Sequence, residues 1–176
     1  MTETSPGSPF TAALTQELGK KTGVCWLRYD GRDHAAWHIW HDGALYVVSG
    51  GNEQPLPDIE HADTIEVIMR SKDSGGRLLT WVGAASVVHP DDELWKEATA
   101  ALVSARLNLD DLATAAADWA DRSVVTRIEP TDQLVELPGA IDDDAHRSVP
   151  QPTPATTRGP LPRVLHRRGK RRPKLS

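Results

Sequence analysis

Two Asp-Gly pairs, Asp30-Gly31 and Asp42-Gly43, constrain the fold of this chain most tightly. Each stands between runs rich in β-branched and aromatic residues: Val24–Tyr29 before the first, Ala35–Trp40 between them, Leu45–Val48 after the second. A two-residue hairpin turn that matches the twist of its strands needs positive φ at both positions. Glycine adopts that conformation freely, and aspartate adopts it more readily than most residues. The pattern predicts three antiparallel strands in a meander.

The run Gly50-Gly51-Asn52-Glu53-Gln54-Pro55-Leu56-Pro57 cannot continue a strand and reads as a long loop. Thr64–Arg70 then alternates, with Ile65, Val67 and Met69 on one face. Asp73-Ser74-Gly75-Gly76 turns the chain into Arg77–Val88. Gly83 near the middle of that long run signals a bend or bulge, which is how sheets curl toward barrels. Helical spacing of Phe10, Ala13, Leu14 and Leu18 predicts a helix from Phe10 to a stop at Gly19. Pro90-Asp91-Asp92-Glu93 opens another, with Leu94, Ala98, Ala101, Leu102 and Ala105 as its apolar stripe. Asn108 and Asp111 look like the cap of a third helix running to Arg122, with Leu109, Leu112, Ala116 and Trp119 as its apolar face. A last strand, Val124–Ile128, is expected to end at Pro130, and Leu134–Leu137 adds a short edge.

Composition divides the chain. Residues 1–9 are rich in Ser, Thr, Pro and Gly and are expected to be disordered, residues 10–137 carry the folded domain, and residues 138–176 read as a Pro-rich, basic, disordered tail. The net charge of −5 hides this division. From Ala145 to Ser176 there are nine Lys or Arg and no Asp or Glu, so the first 144 residues carry −14. An acidic body of that charge argues against a nucleic-acid role for the domain itself. The tail has the charge to contact nucleic acid, anionic lipid or an acidic surface, its own or a partner's. It has no interleaved aromatic residues for stacking on bases, and a purely solubilising tail is the other reading. Cys25 is the only cysteine, which rules out an internal disulfide and a multi-cysteine metal cage and fits a cytoplasmic protein. The opening MTETSPGSPF has neither a basic n-region nor a long apolar run, so no signal peptide is expected. No stretch approaches the roughly 18 consecutive apolar residues of a membrane-spanning helix.

His34, His38 and His41 invite a metal reading. On a strand, though, positions i and i+4 are roughly 13 Å apart, too far for one ion. No G-x-S-x-G elbow or G-x-x-x-x-G-K-[ST] phosphate loop occurs, and Cys25 in an apolar strand reads as packing. Six tryptophans against three Phe and Tyr make indole the main aromatic mass. The alternation puts Trp40 with His38 on one face and Trp37 with Ile39 on the other, so one set fills the core while the other lines a pocket or contact, or all of them are packing. Arg70, Lys72 and Arg77, with Ser71, Ser74 and glycines, concentrate cations and small residues at one hairpin. That is either an anion site or a solvated turn.

The order helix, meander, loop, bent hairpin, helices, final strand resembles the pyridoxamine-phosphate-oxidase-like, flavin-binding split β-barrel proteins. "HIWHDGALYVVSGGNEQPL" is similar to their second and third strands with the loop that faces the flavin phosphate. "GRLLTWVGAASVV" resembles the long strand with its mid-strand glycine, and "VVTRIEP" resembles the closing strand. The resemblance covers residues 10–137 and implies an α+β fold: a mainly antiparallel split β-barrel with two or three flanking helices. It also implies a homodimer with FMN or, as in actinobacterial branches, a deazaflavin at the subunit interface. On a small organic substrate, such a protein is an oxidoreductase. The phosphate contacts it implies fall on Ser49, Gly50, Gly51 and Asn52, then on Arg70, Ser71, Lys72 and Arg77. Relatives that hold FMN usually place Lys or Arg in the first of these loops. Here Glu53 and Gln54 stand there, with no Lys or Arg from Gly43 to Met69. The alternative is a split barrel with no cofactor that serves as an interaction module.

Overall fold

The computed structural model describes residues 9–71, 75–106, 111–138 and 140. Almost all of the expected disordered termini fall outside these residues, as do Lys72, Asp73, Ser74, Asn108 and Leu109. The elements in chain order are α1 (Pro9–Lys21), β1 (Val24–Tyr29), β2 (Arg32–Trp37), β3 (Ile39–His41) and β4 (Ala44–Ser49). A 3-10 turn (Ile59–His61) leads to β5 (Thr64–Arg70) and β6 (Arg77–Val88), then α2 (Glu93–Ala105), α3 (Ala115–Arg122) and β7 (Val124–Glu136).

Both Asp-Gly turns form as expected. Asp30 and Gly31 sit at φ 48° and 70°, Asp42 and Gly43 at 42° and 76°. The strands between them do not form a simple meander. The expected strand Ala35–Trp40 breaks at His38, and its halves go to opposite edges of one antiparallel sheet ordered β2-β1-β5-β6-β7-β4-β3. Seven strands laid flat would put those edges about 29 Å apart at about 4.8 Å per strand. Here the edge strands are joined through the single residue His38, so the sheet has to curl until its edges meet. The His38 N–H donates to the Gly23 carbonyl (3.2 Å). Next to it, Gln54 acts as a strand neighbour: its side-chain carbonyl accepts from Trp37 N–H (2.6 Å) and its amide donates to Trp37 C=O (2.8 Å). The result is a split β-barrel.

The last strand is longer than expected. β7 runs through Pro130 to Glu136 and absorbs the separate edge at Leu134–Leu137. The register against β6 shifts from Gly83↔Pro130 to Trp81↔Leu134, so β7 bulges there. Proline is tolerated at such a bulge because no ladder hydrogen bond is needed from its nitrogen. The Thr131 hydroxyl takes up the Val82 carbonyl at 2.7 Å.

β4 is buried along its whole length. Leu45 and Val47 join one core with Leu27, Val67, Met69, Leu79 and Trp81. Tyr46 and Val48 join a second under α2 and α3 with Val88, Leu102, Trp119 and Val125. The indoles divide as the alternation predicts, Trp40 packing on the first core and Trp37 and Ile39 on the second. The helices differ from expectation in detail. α1 continues past Gly19 to Lys21, and that glycine is buried where any Cβ would strike the Trp40 ring. Leu94 (42%) and Leu112 (60%) are exposed, since α2 buries Ala98, Thr99 and Leu102 while α3 starts only at Ala115. Among the described residues no helix is long and apolar enough to cross a membrane.

Candidate functional site

The expected binding residues form two groups. Ser49 pairs with Val124 at the start of β7, beside the Val88↔Val125 end of β6. Arg70 and Arg77 pair with each other where β5 ends and β6 begins. The 12-residue strand β6 separates them, so within one chain the groups lie at opposite ends of the sheet. Lys72 lies outside the described residues.

At the first group, Ser49 is buried and the loop folds back on itself. Gly50 N–H donates to Gln54 C=O (3.2 Å), Glu53 N–H to Gly50 C=O (2.9 Å), and the Ser123 hydroxyl to Gly50 C=O (3.2 Å). Glu53 then turns inward. Its side chain is 7% exposed; one oxygen accepts from Arg106 at 2.7 Å and the other from the Trp119 indole N–H at 3.1 Å. The Arg106 guanidinium also lies over the Trp37 ring, 4.9 Å from its centre. The loop that lacks a cation in sequence therefore gains one from the end of α2, and that charge is already matched by Glu53. A cavity of about 110 Å³ remains, lined by Gly51, Asn52, Arg122 and Ser123 among others. That is well below the roughly 300 Å³ at the small end of ligand pockets. Within one chain this loop leaves only that small cavity.

The second group is more open. Arg70 lies over Trp26, 4.7 Å from the ring centre, and its Nε–H donates to the Gly75 carbonyl at 2.5 Å. Ser71 and Gly75 close the hairpin through Ser71 N–H to Gly76 C=O (2.8 Å) and Gly75 N–H to Ser71 C=O (3.0 Å). Arg70, Ser71 and Gly75 line a shallow depression of about 450 Å³ with Lys21, Thr22 and Trp26. Lys21 also pairs with Glu17 in an exposed contact. Arg77 stands apart from this shelf, held by Glu136 at 3.1 Å, while Thr80 donates to the same carboxylate at 2.7 Å. The fixed guanidinium, a nearby ammonium and an indole base suit an anionic group attached to a planar body.

Cys25 and the three histidines of the meander are committed elsewhere. Cys25 is fully buried, and that burial pushes its thiol well above the usual range, so it is no nucleophile at neutral pH. His34 stacks on Tyr29 with ring centres 4.6 Å apart, and His41 pairs with Glu97 at 2.8 Å. His38 is 2% exposed; burial pulls its pKa down to about 4, opposed by its Nε2–H bond to the Gly19 carbonyl (3.3 Å). Arg106 and Arg122 are the residues that sequence reasoning missed at the first loop. They are more than 50 positions from Glu53, and no local pattern links them.

No protein-family model matches this sequence, and no curated protein matches it. Solved structures do resemble its fold. HutZ, the heme storage protein from Vibrio cholerae, superposes with a TM-score of 0.51 at 16% identity over 70% of this chain and 92% of that one. An F420 reductase gives a TM-score of 0.41 at 19% identity over 66% and 92%. The flavocytochrome Anf3 from Azotobacter vinelandii gives 0.44 at 13% identity over 89% and 87%. At these identities the likeness is one of fold.

Proposed function

We propose that this chain is a flavin- or deazaflavin-binding split-barrel protein that docks the cofactor's anionic end on the Arg70 shelf. The observation that carries this reading is the Arg70 guanidinium over Trp26, with Lys21 on the same open depression. When bound, the cofactor supplies hydride or electron transfer to a small organic substrate, and the protein's part is to orient it and exclude competitors. The reading includes a homodimer, because only a second copy can bring a Ser49–Asn52 loop to the partner's Arg70 end. We place the protein in the cytoplasm, in keeping with its lone, buried thiol.

The test is a titration of the purified full-length protein with FMN, a deazaflavin and heme, following tryptophan fluorescence and cofactor absorbance. Heme is included because HutZ is a heme storage protein. A flavin or deazaflavin is expected to quench fluorescence to saturation, and Arg70→Gln to weaken it at least tenfold, the loss of one charge-assisted contact. Failure of both FMN and the deazaflavin to saturate sinks this reading, whatever heme does.

A second reading rests on the Glu53–Arg106 pair, which occupies the place where a cofactor-binding relative offers a free cation. In it the barrel has no cofactor and the basic tail makes the contact, with nucleic acid, anionic lipid or an acidic partner. Removing residues 145–176 would then abolish salt-dependent binding to DNA or to anionic vesicles.

A further inference from the structure

The split in the barrel leaves a cavity that the proposed cofactor site does not use. β4 stays paired with β7 only from Ser49↔Val124 to Leu45↔Ile128, while β7 continues with β6 as far as Glu136. Beyond Ile128 the β6–β7 ribbon therefore leaves β4. A cavity of about 310 Å³ lies there, between the bulge of β7, the β3–β4 turn and α1.

Its aromatic wall is the half-buried Trp40, packed against Trp81, which is itself only 1% exposed. Trp40 and Trp81 meet edge to face, with ring centres 6.4 Å apart and planes at 81°. Both rings are seated on glycines: a Cβ on Gly19 would strike Trp40, and one on Gly83 would strike Trp81 and Ile128. Small polar groups complete the lining, Thr15 and Gln16 from α1 and Thr131 from the bulge. Among the described residues no Lys or Arg lines the cavity. Of its two carboxylates, Glu129 is held by Arg127, and Asp132 makes no ion pair among the described residues. The surrounding body is acidic as well.

We propose that this cavity binds a small organic cation with an aromatic body, an arylalkyl amine. The ring would pack against Trp40, whose indole also attracts cations. The ammonium would take the side of Asp132. With no guanidinium or ammonium among the described lining residues, an anion finds no cation there to pair with. The volume sits at the small end of ligand pockets, suited to one ring and a short chain rather than to a dinucleotide or flavin. The cavity has no lining residue in common with the Arg70 shelf, so it stands or falls separately from the cofactor reading.

Three phenyl compounds of similar size and different charge test this: 2-phenylethylamine, 2-phenylethanol and phenylacetate. Each is titrated into the full-length protein with tryptophan fluorescence and calorimetry as readouts. The amine is expected to saturate and to bind at least about fivefold tighter than the alcohol, with phenylacetate weakest. Asp132→Asn should bring amine and alcohol to within about twofold. Ala12→Phe, at an exposed helical position on the cavity lining, should abolish amine binding without changing the circular dichroism or the FMN titration. Equal binding of all three compounds, no saturation by any, or amine binding that survives Ala12→Phe overturns the proposal.

Discussion

Gly19 lies buried in the last turns of α1, facing Trp40. In a free helix, exchanging it for alanine would gain about 1 kcal/mol of propensity. Here the added methyl meets an indole that is itself packed edge to face with Trp81. Overpacking of that kind costs about 1–3 kcal/mol. Gly19→Ala is therefore expected to lower stability by about 1 kcal/mol net in urea unfolding at constant m-value. Gly23→Ala, where a Cβ would meet nothing within 4 Å, should change it by less than about 0.5 kcal/mol. The two glycines look alike in sequence. Gly19 reads as a helix stop because the pattern around it is local, while its actual constraint comes from a residue 21 positions further on.

The loop after β4 is held by elements distant in sequence. Glu53 ties it to α2 through Arg106 and to α3 through Trp119, and Gln54 ties it to the β2–β3 bend. Glu53→Gln should cost about 2 kcal/mol, since it leaves a partly buried guanidinium without its counter-charge. Adding Arg106→Met should cost less than the sum of the two single changes, because the unmatched charge goes as well. Chemical denaturation of the three variants checks both statements. At this scale the sequence was legible in part. Asp-Gly pairs and alternation located β1, β4, β5 and β6, since turn chemistry and side-chain period are local properties. The break at His38 and the passage of β7 through Pro130 were not legible. One depends on which distant strand each half of a run pairs with, the other on a bulge set by β6.

Across the whole molecule, closure passes through His38, the one residue between the two edge strands. Its imidazole titrates near 6.5 when solvated and at about 4 in the fold, where burial disfavours the charge. Between those values the unfolded chain takes up a proton that the folded chain refuses. Stability therefore falls as pH drops from about 6.5 to about 4, by an amount on the order of 3 kcal/mol, and this contribution is flat below that. Unfolding free energies at about pH 7 and about pH 4.5 should differ less in His38→Asn than in the parent protein, and equal differences would contradict the assignment. The sequence by itself determined what depends on near neighbours: the turns, the face each strand side chain takes, the contrast between an acidic body and a basic tail, and the order of elements that resembles a split barrel. Only the tertiary structure decided which edges meet, that Glu53 is matched by Arg106, that Arg77 is held by Glu136 while Arg70 rests on Trp26, and that the two expected binding groups lie at opposite ends of the sheet. Those are relations between residues tens of positions apart, and they come into being when the sheet curls and brings its edges together.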